Sequence, residues 1–474
     1  MPQAAALLAA AMALTGCETL GLTTFGRGGP APGSSGFVSG FLGGVAAEDP
    51  AAALAARGVL SAGGTAVDAA VAAGFAMAVT LPSRVGFGGG GACLVFDPAK
   101  GATEAVLFLP GPRLSVPAGA DRPAAVPLLA RGLFALHTRK PGRPFEELMA
   151  PAEQLARFGT EVSRGLGADL AAVAGPLLAD PGARAVFARP DGTPKAAGDP
   201  LVQTELAGTL GQLRVAGVGD LHQGTLARRL EAASRAAGGG LTLEELRAAL
   251  PTVAPPLVLP SRGGDQVAFL PPPADGGLAA AATFAGLQAG LAPGEAAERG
   301  LAAAAGWRER GGEPRAYLTA AASAGAGFAA LPASAGLMVF DRNGVAVTCA
   351  FTLNNLFGTG RTVPGLGFLL AAAPGIGSVQ PPLLAAAIAY NPNLRAFRMG
   401  IAGSGQQAAP MAVAGPAALH LLRGQSSEPA LAGVPEPGRA QFGSCLNYLP
   451  GVPGRCIAVT DPRGTGVAAG AIDR

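Results

Sequence analysis

The stretch Ser334-Ala-Gly-Leu-Met-Val-Phe-Asp341, the turn Asp341-Arg-Asn-Gly344 and the run Val345-Ala-Val-Thr-Cys-Ala-Phe-Thr352 constrain the fold more than any other part of the chain. Asn-Gly between two apolar runs is the strongest short-range hairpin signal, so the segment reads as strand, turn, strand. Other strand-like runs fall at 92–96, 267–270, 367–370 and 456–460. Between them lie helical patterns: two Ala-rich helices over 49–79 broken at Gly63-Gly64, then 145–157, 225–237 and 242–250. The last opens with the capping box Thr242-x-x-Glu245. Helical blocks separating antiparallel-looking strand pairs favour an α+β layered sandwich over a doubly wound parallel sheet. No fixed repeat period is present, which argues against a solenoid or propeller.

Composition narrows the chemistry. The 474 residues are 49% hydrophobic, enough for a large buried core, although 73 glycines and 42 prolines make up about a quarter of the chain. Only 14% are charged, and 34 Lys+Arg against 31 Asp+Glu leave a net +3. That is too little to build the basic face of a nucleic-acid-binding protein. The three histidines, His137, His222 and His420, stand alone in the sequence, and no Cys/His cluster has metal-ligand spacing, so neither a metal nor a cofactor is expected. Gly86-x-Gly88-x-x-Gly91 matches a dinucleotide fingerprint as a string, but it precedes a strand instead of opening a helix. It reads as a glycine turn that needs close backbone approach. There is no GxxxxGK[ST] and no GxSxG, which removes the P-loop and the α/β-hydrolase elbow.

Residues 4–14 form an apolar run of signal-peptide length, too short to span a bilayer as a helix. It ends in Leu14-Thr-Gly-Cys17, which resembles a bacterial lipobox and implies lipidation of Cys17; an ordinary secreted or buried segment is the alternative. Residues 18–40, rich in Gly, Ser, Pro and Thr, read as a flexible tether. The expected location is the periplasm or cell envelope, with the membrane a partner through the lipid alone. Cys445 and Cys456 are close enough in a Gly/Pro-rich segment to form a candidate disulfide, whereas Cys93 and Cys349, in apolar strand-like runs, read as inert buried thiols.

The hairpin joins a series of segments that together resemble the γ-glutamyltransferase (glutathione hydrolase) family of N-terminal nucleophile hydrolases. They are Val59-Leu-Ser-Ala-Gly-Gly-Thr-Ala-Val-Asp-Ala-Ala-Val-Ala72, Gly88-Gly-Gly-Gly-Ala-Cys-Leu-Val-Phe-Asp97 and Pro151-Ala-Glu-Gln-Leu-Ala-Arg-Phe-Gly159, followed by Leu241-Thr-Leu-Glu-Glu-Leu246, Pro271-Pro-Pro-Ala-Asp-Gly-Gly277 and Asp461-Pro-Arg-Gly-Thr-Gly-Val-Ala-Ala-Gly470. The resemblance implies a four-layer αββα sandwich and a chain that cuts itself once, into a large region 41–333 and a small region 334–474 of one folded unit. Counting back from Asp341 puts Ser334 where the family has its nucleophilic threonine, so the implied cut lies between Ala333 and Ser334. One residue then supplies both a hydroxyl and an α-amine whose reference pKa of about 7.7–8.0 suits a general base, and no histidine is needed.

By the same resemblance Thr352 hydrogen-bonds the nucleophile, Asn354 contacts the substrate's amino end, and the backbone of Gly403 and Ser404 forms the oxyanion hole. The departures bear on substrate. The family's carboxylate-gripping arginine is replaced within Val106-Leu-Phe-Leu-Pro110, its ammonium-binding residues fall within Leu369-Leu-Ala-Ala-Ala-Pro-Gly375, and its Ser-Ser pair aligns with Leu383-Leu384. Arg113 is the sequence neighbour that could replace the missing arginine. Burying a zwitterionic glutamyl head without partners costs several kcal/mol, so the expected donor is a small amide that is glutathione-like or less polar. Two functions follow from the resemblance: an autoprocessed amidohydrolase or acyltransferase, and a catalytically impaired, lipid-tethered binding or scaffold protein.

Overall fold

The computed structural model describes residues 40–470 apart from 112, 114 and 320–333. The lipobox with Cys17, nearly all of the expected tether, and Ala333 lie outside the described residues. In the first part of the chain the strands are β1 (Gly43–Ala47), β2 (Gly90–Asp97), β3 (Ala102–Phe108), β4 (Thr160–Glu161), β5 (Pro200–Leu201), β6 (Thr252–Ala254), β7 (Leu257–Pro260) and β8 (Gln266–Phe269). They continue as β9 (Ser334–Asp341), β10 (Ala346–Thr352), β11 (Ala385–Asn391), β12 (Ala396–Ser404), β13 (Arg439–Leu449), β14 (Cys456–Thr460) and β15 (Val467–Ala469).

Two large antiparallel sheets result, one ordered β15-β1-β9-β10-β2-β3-β6 and the other β14-β13-β12-β11-β8-β7, while β4 and β5 pair with each other apart from both. Each large sheet draws strands from both sides of the expected cut, so the two regions share one core. Between the sheets, Leu94, Phe96, Met338 and Phe340 meet Ile388, Phe397 and Ala402, with Phe340 stacked on Phe397 at 5.3 Å. Helices 50–61, 66–80 and 145–158 cover the outer face of the first sheet, and helices 275–288 and 409–423 that of the second. The architecture is therefore the four-layer αββα sandwich that the sequence leads one to expect.

Local chemistry explains the elements nearest the hairpin. The helix Ala66–Thr80 starts with a capping box between Thr65 and Asp68, and its apolar residues run all the way round because it is wholly buried. The turn between β9 and β10 is a three-residue loop closed by Asp341 N–H to Val345 O at 2.9 Å, with Gly344 at φ +84° in the left-handed region. The Asp341 carboxylate accepts from Asn343 and Val345 N–H inside the turn and from Ala66 N–H of the helix, at 2.8, 3.2 and 2.9 Å. One buried side chain thus pins the hairpin to the helix beneath it.

Two expectations need correction. The run 367–370 forms no strand; it contributes only isolated bridges, Thr362 to Leu369 and Gly88 to Leu370. Cys93 and Cys349 are not free thiols: β2 and β10 place them directly opposite each other and they are disulfide-bonded, with Cα atoms 4.1 Å apart. The expected Cys445–Cys456 pair is also a disulfide.

Candidate active site

Ser334 is the first residue of β9 and is completely buried. Along β9 the residues Met338 and Phe340 point between the sheets, so Ser334 and Gly336, of the same parity, do so too. Its register partner on β10 is Thr352. Glu48 N–H donates to Gly336 O at 3.3 Å, which assigns the hydrogen-bonding edge of Gly336 to β1. By alternation the Ser334/Thr352 pair is non-hydrogen-bonded, the type in which Cα atoms lie about 4.5 Å apart and side chains are closest. Among the described residues the Ser334 hydroxyl has no hydrogen-bond partner.

Thr352 is held from behind. Asn354 N–H donates to its Oγ1 at 2.8 Å, and a Cβ on Gly89 would come within 2.3 Å of the Thr352 carbonyl oxygen, so the glycine turn packs directly on the end of β10. That is the close approach read from the sequence. Asn354, at φ 61°, spends its amide on Ala372 O at 3.0 Å and Pro110 O at 3.3 Å, tying together the segments that follow β3 and β10.

Opposite, β12 ends at Gly403 and Ser404, and the chain turns through Gly405 at φ +104° into the helix Ala409–Arg423. A Cβ on Gly403 would lie 2.7 Å from Ala409 O, so glycine is needed there for the helix to start so close to the strand. Ser404 is buried. The structure therefore brings Ser334 and Thr352 together as neighbours and places Gly403 and Ser404 at the end of the central strand of the facing sheet.

Arg113 does not join them. Its guanidinium forks onto Glu245 at 2.7 and 2.9 Å and gives its remaining donors to the carbonyls of Ala124, Gly239 and Gly240, with the side chain 2% exposed. Burial pushes the Glu245 carboxyl up, but the Arg113 and Thr242 bonds more than reverse this and hold it below its ordinary value. All five guanidinium donors are committed within the protein, so Arg113 is a strut and not a free carboxylate ligand. Leu383 and Leu384 are likewise buried in the apolar core. The three histidines serve elsewhere: His137 contacts Arg143 O, His222 Leu246 O and His420 Gln425 O.

One group escapes the sequence reading. Glu48, just past β1, is buried, accepts from Gly336 N–H at 2.9 Å and from Arg84 at 3.1 Å. Arg84 forks onto Asp169 with two bonds of 2.8 Å, and Ser83 Oγ donates to the same carboxylate at 2.7 Å. Burial pushes the Glu48 carboxyl above its ordinary value, against the pull of Arg84, the Ser404 hydroxyl and Gly336 N–H. Ser404, though it makes no hydrogen bond of standard length, is thus close enough to bias Glu48. The only signal in the sequence is an acidic pair, Glu48-Asp49, between an apolar run and the helix-starting Pro50. Asp49 is the N-cap of that helix, which leaves Glu48 without an evident role.

The profile of the family described as gamma-glutamyltranspeptidase matches residues 52–291, just over half of the chain. The chain belongs to that family. The glutathione hydrolase proenzyme of Escherichia coli (strain K12) is 33% identical over 255 residues, covering 49% of this chain and 43% of the relative. That of Bacillus subtilis (strain 168) is 31% identical over 255 residues, covering 49% and 42%. The match thus spans less than half the length of these curated relatives. Among solved structures, cephalosporin acylase from Bacillus halodurans superposes with a TM-score of 0.71 at 18% identity, over 94% of this chain and 98% of that one. At this identity the likeness establishes the fold. The family match ends before β9 and so does not reach Ser334.

Proposed function

We propose that this γ-glutamyltranspeptidase-family chain is an N-terminal nucleophile amidohydrolase or acyltransferase. It cuts its own backbone between Ala333 and Ser334 and then uses Ser334 as nucleophile and the new α-amine as base. The carrying observation is the completely buried Ser334 hydroxyl at the first position of β9, without a partner among the described residues and side by side with Thr352. Chemically, the amine takes the Oγ proton as Oγ bonds to the acyl carbon; the amide C–N bond then breaks and the proton passes to the leaving amine. Backbone N–H groups of Gly403 and Ser404 are the proposed oxyanion donors.

The acyl group accepted is less polar than γ-glutamyl. Arg113 is occupied within the protein, and Leu383 and Leu384 are core, so none of the three gives a glutamyl head a charged partner. We further propose that the chain is exported and lipidated at Cys17; the two disulfides fit an oxidising compartment. A Cys17→Ser chain then leaves the membrane fraction for the soluble one.

The test of the catalytic reading is the electrophoretic pattern of purified protein. Wild type separates into two fragments under denaturing conditions, and Ser334→Ala remains a single chain. Identical single bands for both, after prolonged incubation at neutral pH, contradict the reading.

A further inference from the structure

Glu48 stands at a junction that a structural salt bridge alone does not require. In an antiparallel ladder the partner of Gly336 N–H is the backbone carbonyl of the facing residue, but here the Glu48 side chain takes its place: Glu48 N–H donates to Gly336 O at 3.3 Å while Oε1 accepts from Gly336 N–H at 2.9 Å. β1 ends at Ala47, so the carboxylate lies along the edge of β9 where the ladder stops. Residues of equal parity direct their N–H groups to the same neighbour, and Ser334 is two positions from Gly336. Its nitrogen, the atom that becomes the α-amine, therefore faces the edge that Glu48 occupies. The other carboxylate oxygen is held by Arg84, and the Ser404 hydroxyl of the facing sheet biases the same group.

We propose that Glu48 is the positioning residue and counter-ion of the nucleophile's amine: its carboxylate aims the amine of Ser334 and stabilises the ammonium formed when that amine takes the Oγ proton. The inference rests on the catalytic reading above and names the group that orients its base. The step moves one proton from Oγ to the α-nitrogen as the Oγ–C bond forms, and Glu48 takes no proton in it. Its role parallels that of the aspartate which steadies the imidazolium of a serine-protease triad without taking the proton. The other charges at this edge are already paired. Arg84 is held by Asp169; across the cleft Arg439, opposite Ser404, is paired with Glu436, and Arg463 with Asp461. Asp49, next along the chain, accepts from Thr80 Oγ1 and Ala52 N–H. Glu48 is thus the carboxylate on the Ser334 side of β9.

The experiment uses p-nitrophenyl acetate, a probe that demands nothing of the natural donor. Nitrophenolate release by the processed protein is followed from pH 5 to 9, with the Ser334→Ala chain as background. The acid limb of the profile reports the α-amine of the free enzyme. Glu48→Gln keeps an acceptor for Gly336 N–H but removes the charge, so the ammonium loses its counter-ion. The limb then moves to lower pH by about 1 unit or more and the plateau falls about 10²-fold. Glu48→Asp, with the carboxylate drawn back by one methylene, has its limb between the two and decides the matter if the Gln chain fails to cut itself. A merely structural role lowers the plateau with the limb in place in both variants, and that result overturns the inference while leaving the catalytic reading intact. A wild type that neither cuts itself nor releases nitrophenolate overturns both.

Discussion

The ends of β9, β10 and β12 and the segments that follow β3 and β10 lie next to each other but have diverged to different degrees from the pattern the resemblance implies. At the strand ends Ser334, its threonine neighbour and the glycine-serine step sit on paired strands of the two sheets, where the resemblance puts them. In the adjoining segments apolar residues stand where the resemblance implies charged ligands, and Arg113 is a strut between Glu245 and three carbonyls. Positions fixed by strand register are held by the same interactions that hold the fold. Substrate contacts on loops are held only by the substrate, so they change without cost to stability.

Arg113→Met gives the largest way to break this comparison. As a strut, the arginine leaves a buried Glu245 carboxylate without its cation when removed, and stability falls by about 3–5 kcal/mol while KM for any donor stays within about twofold. A rise in KM of tenfold or more at unchanged stability would return Arg113 to the substrate. The pH dependence has a definite sign. Glu245 is held below its ordinary 4.5 by Arg113 and Thr242 against burial, so its contribution is present above about pH 4.5 and is lost as pH falls through the lower native value. Thermal melts of Arg113→Met therefore lose less stability than wild type between neutral and acid pH.

The second prediction sharpens the comparison at the donor end. Phenylacetyl-p-nitroanilide should exceed γ-glutamyl-p-nitroanilide in kcat/KM by about 10- to 100-fold, because Leu383, Leu384 and the Ala371–Ala373 segment offer the glutamyl charges no partner. Equal or reversed rates would show that the loops rebuilt a zwitterion site from other residues. The third concerns the strand end, where Ser334→Thr adds the β-methyl that restricts χ1. It should raise kcat a few-fold with KM unchanged, provided the buried site admits the methyl; a fall of tenfold or more means the site is fitted to serine.

What could be read from the sequence follows the range of the interactions involved. The hairpin was legible because its signals are local: Asn343-Gly344 in the turn and the apolar runs on either side. The helices 50–61 and 66–80 were legible for the same reason, as Ala-rich runs broken at Gly63-Gly64. Ser334 and Thr352 were singled out by the family resemblance, and the hairpin register then sets them opposite each other. The Cys93–Cys349 bond was not legible, because its partners are 256 residues apart and apolar strand settings suit an inert thiol equally well. Glu48 escaped for a similar reason: its partners Arg84 and Gly336 come from two distant segments. Arg113 misled because closeness to the missing arginine in sequence says nothing of where a long side chain points.

The central claim is that backbone scission at one peptide bond creates the working N-terminus, and N-terminal sequencing of the smaller fragment of the purified protein tests it most directly. The account predicts a single sequence beginning Ser-Ala-Gly-Leu-Met. A purified protein that yields no such terminus, or a fragment that begins at any other residue, would contradict it.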